Sequence, residues 1–136
     1  MSYAMAAALQ AAVFERLAGD APLQALVSGA VFDVAPPGPL PPLYVVLGPE
    51  EAIDRSDGSA HGALHRFTVS VFARASGFAS AKEAAAAACD CLLGAGLTLA
   101  RGRLVALDFE RASARRDGSG DTRRIDLRFA ARLDES

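Results

Sequence analysis

The last third of the sequence constrains the fold most strongly. A predicted strand from Leu104 to Arg116 meets the turn Asp117-Gly-Ser-Gly120, and an alternating segment returns from Asp121 to Leu133. On the returning segment the odd positions from 125 to 133 are apolar, and positions 124, 126, 128 and 132 are charged. This alternation is typical of an antiparallel sheet with one buried face and one wet face. Each arm would span roughly 40 Å, so we expect part of the hairpin to project and contact a partner.

The preceding residues predict helices and shorter strands. A helix is predicted over 2–18, with Ser2 as a possible N-cap, a short helix from Asp20 to Val27, and a second main helix over 78–93. Strands are predicted over 31–34, 43–48, 65–75 and 97–100, and the stiff segment Pro36–Pro42 separates the first two. At 136 residues, the chain has room for one core. We therefore expect a single domain over 1–136 that contains helices and an antiparallel sheet with a long C-terminal hairpin.

An acidic segment shows neither the helical nor the strand pattern of apolar residues. Residues 49–63 are rich in Asp, Ser and Gly, and we interpret them as a long mobile loop. Carboxylates outnumber the single cation Arg55 here; they are Glu50, Glu51, Asp54 and Asp57. The simplest interpretation is a soluble loop, with His61 and His65 as solvated residues; a weak surface metal site that these histidines form with Asp54 and Asp57 is the less favoured alternative. The functional alternative is a surface that repels phosphate and lines a passage through which DNA slides.

Arginines are concentrated at the predicted hairpin tip. Arg115, Arg116, Arg123 and Arg124 surround the turn together with Asp117 and Asp121. A solvated turn with internal ion pairs of small energetic value is one interpretation. Another is a contact for carboxylates on a partner subunit, to which guanidinium groups bind in a bidentate manner. Direct phosphate binding is a weaker third interpretation, since no aromatic residues are interleaved.

Composition and motifs exclude several classes of function. The formal charge is −2 and the pI about 5.6, which argues against a protein that coats nucleic acid. No run reaches the ~20 apolar residues of a membrane helix, and the N-terminus lacks the basic start of a signal peptide. Cys89 and Cys91 lie two apart on a helix and point away from each other, so they predict packing, not a metal site or a disulfide. Without a nucleophile elbow or a phosphate-binding loop, we expect no catalytic residues, no metal and no cofactor.

Five stretches resemble the tail terminator (tail completion) proteins of tailed phages, and most closely the version in alphaproteobacterial gene transfer agents. They are Met1–Val13, Pro36–Pro42 followed by Tyr44–Glu50, His65–Val71, Leu97–Val105 and Arg123–Phe129. Together they extend over the whole chain, and none is a catalytic signature.

The resemblance implies an α+β fold in which two main helices pack on one face of an antiparallel sheet. It also implies a structural virion protein. It implies a homo-hexameric ring at the neck of a phage-like particle, assembled in the bacterial cytoplasm, that caps the tail tube and joins it to the stopper or other head-completion proteins. DNA would pass through the lumen without sequence readout. In this setting the acidic segment with Glu50, Glu51, Asp54 and Asp57 would face the lumen or the tube, and the tip arginines would contact subunits or partners. The alternatives are another neck component, such as the stopper or a head-tail connector, and a small ligand-binding α+β domain.

Overall fold

Helices and long strands follow one another along the chain. The computed structural model describes residues 3–56, 62–94, 96–118 and 120–135. In chain order these ranges contain α1 (Ala6–Gly19), α2 (Ala21–Val27), β1 (Val31–Phe32), β2 (Leu43–Asp54), β3 (Gly62–Arg74), α3 (Ala79–Gly94), β4 (Arg103–Arg116) and β5 (Thr122–Asp134). The strands form one sheet in the order β1-β2-β3-β5-β4. The α+β prediction is therefore confirmed.

The sheet is antiparallel except at one edge. β2 with β3, β3 with β5, and β5 with β4 all pair antiparallel. β1 pairs parallel with β2, through Val31↔Val45 and Phe32↔Val46. The prediction of a fully antiparallel sheet is wrong for this pair. The proline-rich segment after β1 carries the chain back before β2 starts, so both strands run in the same direction.

The core lies between the helices and one face of the sheet. Alternate residues of β3 and β5 point to this face and are buried, among them Val69, Val71, Leu127 and Phe129. On the helices the buried residues are Leu9, Val13 and Leu17 of α1 and Ala81, Ala84, Ala85 and Ala88 of α3. The small alanine side chains let α3 approach the sheet closely. Each fully buried Leu or Phe contributes roughly 1.5–3 kcal/mol, so this layer supplies much of the stability of the fold.

The starts of the first two helices have different causes. α1 begins at Ala6 rather than at residue 2; its N-cap position is Met5, whose side chain is fully buried and makes no capping hydrogen bond. Packing of Met5 in the core therefore fixes this start, and the proposed cap Ser2 lies outside the described residues. α2 follows the prediction: the carboxylate of Asp20 accepts a hydrogen bond from the backbone N–H of Leu23 at 3.0 Å.

The predicted loop over 49–63 is wrong for most of its length. β2 continues to Asp54 and β3 begins at Gly62, while residues 57–61 lie outside the described residues. A β-bulge between Leu47 and Glu50 shifts the register, and pairing with β3 resumes at Glu50↔Phe67. The bulge accommodates Gly48 and Pro49, whose sequence looked like a strand end.

Two further strand predictions need correction. Residues 97–100 are not a strand; Leu97 is buried in the core without ladder pairing. The hairpin does not project from the sheet, because β3 is as long as β5 and pairs with it from Gly62↔Asp134 to Arg74↔Thr122. The outer arm of the hairpin, β4, is the strand at the edge of the sheet.

Candidate functional site

The outer edge of β4 is the largest unpaired backbone surface in the described ranges. β4 is the last strand of the sheet, and within those ranges no strand pairs with its outer edge. All of its residues from Asp108 to Arg116 are exposed. A long exposed edge is a template for pairing with another chain, and stable proteins block or cover such edges. β4 is therefore a candidate interaction surface.

Apolar side chains add to this surface. Val105 is 48% exposed and Phe109 is 44% exposed. Phe109 covers the edge of the buried Phe129, with ring centroids 5.9 Å apart, and its outer part faces solvent. Sequence reasoning missed both residues, although the segment after Phe109, which has charged residues, one serine and small alanines but no large apolar residue, was a signal that β4 is not a buried strand.

The predicted tip arginines are engaged unequally within the chain. Asp126 accepts hydrogen bonds from Ser70 Oγ (2.6 Å), Arg115 Nη1 (2.7 Å) and Arg124 Nε (2.9 Å). Burial by itself would raise the pKa of Asp126, but these three hydrogen bonds outweigh it and lower the pKa. The Arg124 guanidinium also lies 4.9 Å from the ring centroid of Phe72. Arg115 and Arg124 thus brace the outer face of the sheet.

The other two tip arginines differ from each other. Arg123 donates to the backbone oxygen of Ser76 at 2.8 Å and lies over the ring of Phe78, which ties β5 to the segment before α3. Arg116 is exposed, and its guanidinium group has no ion-pair partner among the described residues. Arg111, which sequence reasoning did not select, is also exposed and likewise without an ion-pair partner in the described ranges. Within those ranges, Arg111 and Arg116 are therefore the β4 cations whose guanidinium groups are not engaged.

A second ion-pair network crosses the face of the sheet opposite the helices. Glu110 of β4 accepts from Arg66 Nε at 3.2 Å and lies 3.5 Å from Arg128 Nε. Glu51 of β2 contacts the same two arginines, at 3.7 Å from Arg66 and 3.2 Å from Arg128. Charges from four strands thus neutralise one another on this face.

The predicted acidic cluster is divided between the two faces of β2. Glu50 points to the helix side, where it accepts a hydrogen bond from the Tyr3 hydroxyl and lies 3.6 Å from His65 Nδ1. This hydrogen bond, with smaller effects of burial and of the carboxylate charge, raises the pKa of Tyr3. Glu51 lies on the opposite face, and Asp54 ends the strand and accepts from Ser56. Asp57 lies outside the described residues.

His65 contradicts the expectation of a solvated histidine. It lies on β3 and is fully buried, and the ring of Tyr3 stacks on it with centroids 6.2 Å apart. The strand alternation that includes Phe67 and Val69 could have predicted this burial. His61 falls in the segment that the structure does not describe.

The cysteines pack as small apolar residues. Cys91 is buried, and its Sγ donates to the backbone oxygen of Arg16 at 3.3 Å. Burial raises the pKa of Cys91 to about 11 and also raises that of the half-buried Cys89. Both thiols are therefore protonated at neutral pH. Across the described ranges no three His, Cys, Asp or Glu side chains are placed to share a metal ion.

Comparison with known proteins identifies the family. The model of the family described as "Tail completion protein gp17" matches residues 11–134. The chain belongs to this tail completion family. A chain in the structure described as "Virion of native gene transfer agent (GTA) particle" is 58% identical and superposes with a TM-score of 0.92, covering 98% of this chain and 99% of that chain. No significant match was found among curated proteins.

Family membership confirms the resemblance seen in the sequence. As a tail completion protein, the chain is a structural component of a phage-like particle and not an enzyme. None of the helices in the described ranges has the length and apolarity needed to cross a membrane. Its function is therefore to be sought in surfaces that contact other proteins, above all along β4.

Proposed function

We propose that this protein is the tail terminator of a phage-like particle. Six copies form a ring at the neck, which caps the tail tube, joins it to the head-completion proteins and lets DNA pass through its lumen. The observation that carries the proposal is the unpaired, solvent-exposed β4 edge in a member of the tail completion family. A surface of this kind is suited to association between subunits.

A ring follows from the asymmetry of the subunit. The β4 edge is long and carries exposed apolar residues, whereas the opposite edge of the sheet carries the two-residue strand β1. Contact between two different surfaces is heterologous, and repeated heterologous contacts close into a ring when the rotation allows it. Arg116, at the β4 end of the tip, remains available for carboxylates of a neighbour. The conformation of the hairpin tip that contacts the partner would then be stabilised by Arg115, Arg123 and Arg124.

The connection between β2 and β3 is proposed to face the tube or the lumen. It follows Asp54 at the end of β2 and contains Asp57, and Arg55 is its one Lys or Arg residue. A carboxylate surface repels the DNA backbone and so favours free passage. Glu51 adds no net charge to that surface, because Arg66 and Arg128 contact it, and Glu50 has its contacts with Tyr3 and His65 inside the subunit.

Particles made without this protein would test the proposal. If the protein caps the tube, electron micrographs of a deletion strain should show tail tubes of uneven and excessive length, together with DNA-filled heads that lack tails. Supplying the intact gene from a plasmid should restore tubes of uniform length attached to heads. Attached tubes of normal length in the deletion strain would refute the proposal.

The same experiment separates the terminator from another neck component. A stopper or head-tail connector acts on the head side, so its loss should leave tubes of uniform length that are merely unattached. The length distribution of free tubes therefore decides between the two functions, while the number of attached tails falls in either case.

A further inference from the structure

We propose that subunits join by strand addition: the outer edge of β4 of one copy pairs antiparallel with the open part of β2, residues 47–54, of the next copy. This inference rests on the proposed ring and names the two surfaces that would form it. Three observations support it: an open acceptor edge, strand polarity, and matching height along the sheet.

β2 presents an acceptor edge at the end where its acidic residues lie. β1 covers β2 only at Val45 and Val46. Beyond this point, no strand in the described ranges pairs with the outer edge of β2, although β2 continues to Asp54. The subunit therefore has an unpaired strand edge on each side of its sheet.

Strand polarity allows the two edges to meet. The steps from β2 to β3, from β3 to β5 and from β5 to β4 are each antiparallel. β2 and β4 consequently run in opposite directions within one subunit. When the next subunit around a ring has the same orientation, its β2 is antiparallel to the β4 beside it, which is the more stable arrangement for strand addition.

The two edges also lie at the same height along the sheet. Following the registers across the strands, Glu50 is level with Phe67, Phe129 and Phe109. At its far end, Asp54 is level with Leu104. The part of β4 opposite the open part of a neighbouring β2 thus includes the exposed Val105 and Phe109, which pairing would remove from water.

Charge is nearly balanced within the subunit along the two matching edges. The part of β4 that is level with the open part of β2 runs from Leu104 to Ala112. The carboxylates Glu51 and Glu110 on these edges already contact Arg66 and Arg128. The contact would therefore rest on backbone hydrogen bonds and on burial of Val105 and Phe109, and not on ion pairs between subunits.

Disulfide cross-linking of the ring tests this contact. In a Cys89→Ala/Cys91→Ala background, Ala52→Cys on β2 is combined in turn with a cysteine at each position of β4, including Leu107, which is level with Ala52. Disulfides need Cβ atoms about 4 Å apart, so only positions in register should cross-link under mild oxidation. Because the contact is head-to-tail, these variants should give a ladder up to the hexamer on non-reducing gels. Ala52→Cys with Leu93→Cys on α3 is the control that should stay unlinked.

Light scattering distinguishes failure of the contact from failure of the ring. Ring mass is measured for the protein alone and with purified tail-tube protein. Rings that form without a cross-link at any β4 position would contradict the strand-addition contact but not the proposed ring. Absence of rings under both conditions would contradict both the proposed ring and the contact. Dimers formed by Val105→Cys alone would indicate β4–β4 pairing and would also overturn the inference.

A surface substitution gives an independent measurement. Val105→Asp replaces an exposed apolar side chain, which pairing would bury, by a carboxylate, so we expect the concentration needed for ring formation to rise at least about 10-fold. Leu93→Asp, at a residue of similar exposure on α3, should leave it unchanged. Equal effects of the two variants, or no effect of Val105→Asp, would contradict the proposed contact.

Discussion

The two arms of the C-terminal hairpin have nearly the same length and opposite surroundings. β5 pairs with strands on both sides, and its alternate residues from Ile125 to Leu133 are buried beneath the helices. β4 pairs on one side only, and most of its residues are exposed. The stability of the subunit is therefore concentrated on β5, whereas β4 is the arm available to a partner. Substitutions on the two arms should accordingly have different consequences.

The largest expected difference is at a pair of phenylalanines. Phe129 on β5 is fully buried, and Phe109 on β4 packs against its edge while 44% exposed. Phe129→Ala leaves a cavity in the core and should lower the free energy of unfolding by about 3–5 kcal/mol. Phe109→Ala removes a half-exposed ring and should cost about 1 kcal/mol. Urea denaturation of the dilute subunit measures both values.

A second measurement on the same variants sharpens the contrast. Phe109→Ala should weaken assembly of the hexameric ring more than its small effect on subunit stability accounts for, because the substitution removes the phenyl group from the β4 edge. Equal losses of stability for the two variants would show that Phe109 belongs to the core and would remove the distinction between the arms.

The two ends of β4 give a smaller contrast, at glycines with positive φ. Gly102 precedes β4 with φ +77°, and a Cβ there would collide with Met5 Sδ and lie 3.2 Å from the backbone oxygen of Asp134. Gly118 follows β4 with φ +72° and has nothing within 4 Å of such a Cβ. Both alanine variants force a left-handed residue, which costs roughly 1 kcal/mol. Gly102→Ala must also displace the buried Met5.

The expected losses of unfolding free energy are thus roughly 3 kcal/mol for Gly102→Ala and roughly 1 kcal/mol for Gly118→Ala. Urea denaturation under the same conditions compares them. A cost at Gly118 as large as that at Gly102 would mean that the hairpin turn, and not the contact of Met5 with the start of β4, limits the stability of this region.

The sequence predicted β5 better than β4 for a physical reason. Burial of one face requires strict alternation, and positions 124–133 show it, so the arm and its inward residues were predictable. An edge strand has no such requirement, so Val105, Phe109 and Arg111 gave no periodic signal. The same holds for the end of β2, where Gly48 and Pro49 indicated a loop although pairing with β3 resumes after a bulge.

Site residues were predictable as clusters but not as contacts. The tip arginines do lie near one another, yet their partners Ser70, Ser76 and Asp126 come from register and from segments distant in the sequence. The acidic residues next to each other in sequence, Glu50 and Glu51, separate onto opposite faces because they lie on a strand. Knowledge of strand extent was therefore needed before side-chain roles could be assigned.

The smallest expected difference concerns two aspartates, one on each arm. Asp126 on β5 accepts hydrogen bonds from Ser70, Arg115 and Arg124, whereas the exposed Asp108 on β4 has no partner among the described residues. Asp126→Asn should lower the free energy of unfolding at pH 7 by about 1–2 kcal/mol. Asp108→Asn, the matched control, should change it by less than about 0.5 kcal/mol.

The pH dependence gives the sign of this contribution. Because folding lowers the pKa of Asp126 below its ordinary value of 3.8, its stabilisation is fully present well above that value and is lost as the pH falls through the lower folded pKa. The intact protein and Asp108→Asn should therefore lose stability steeply below about pH 4. Asp126→Asn should lose less over the same range, so that urea midpoints of the three proteins converge at low pH. A constant gap between Asp126→Asn and the intact protein from pH 7 to pH 2 would mean that packing at Asp126, and not its charge, stabilises β5 against β3.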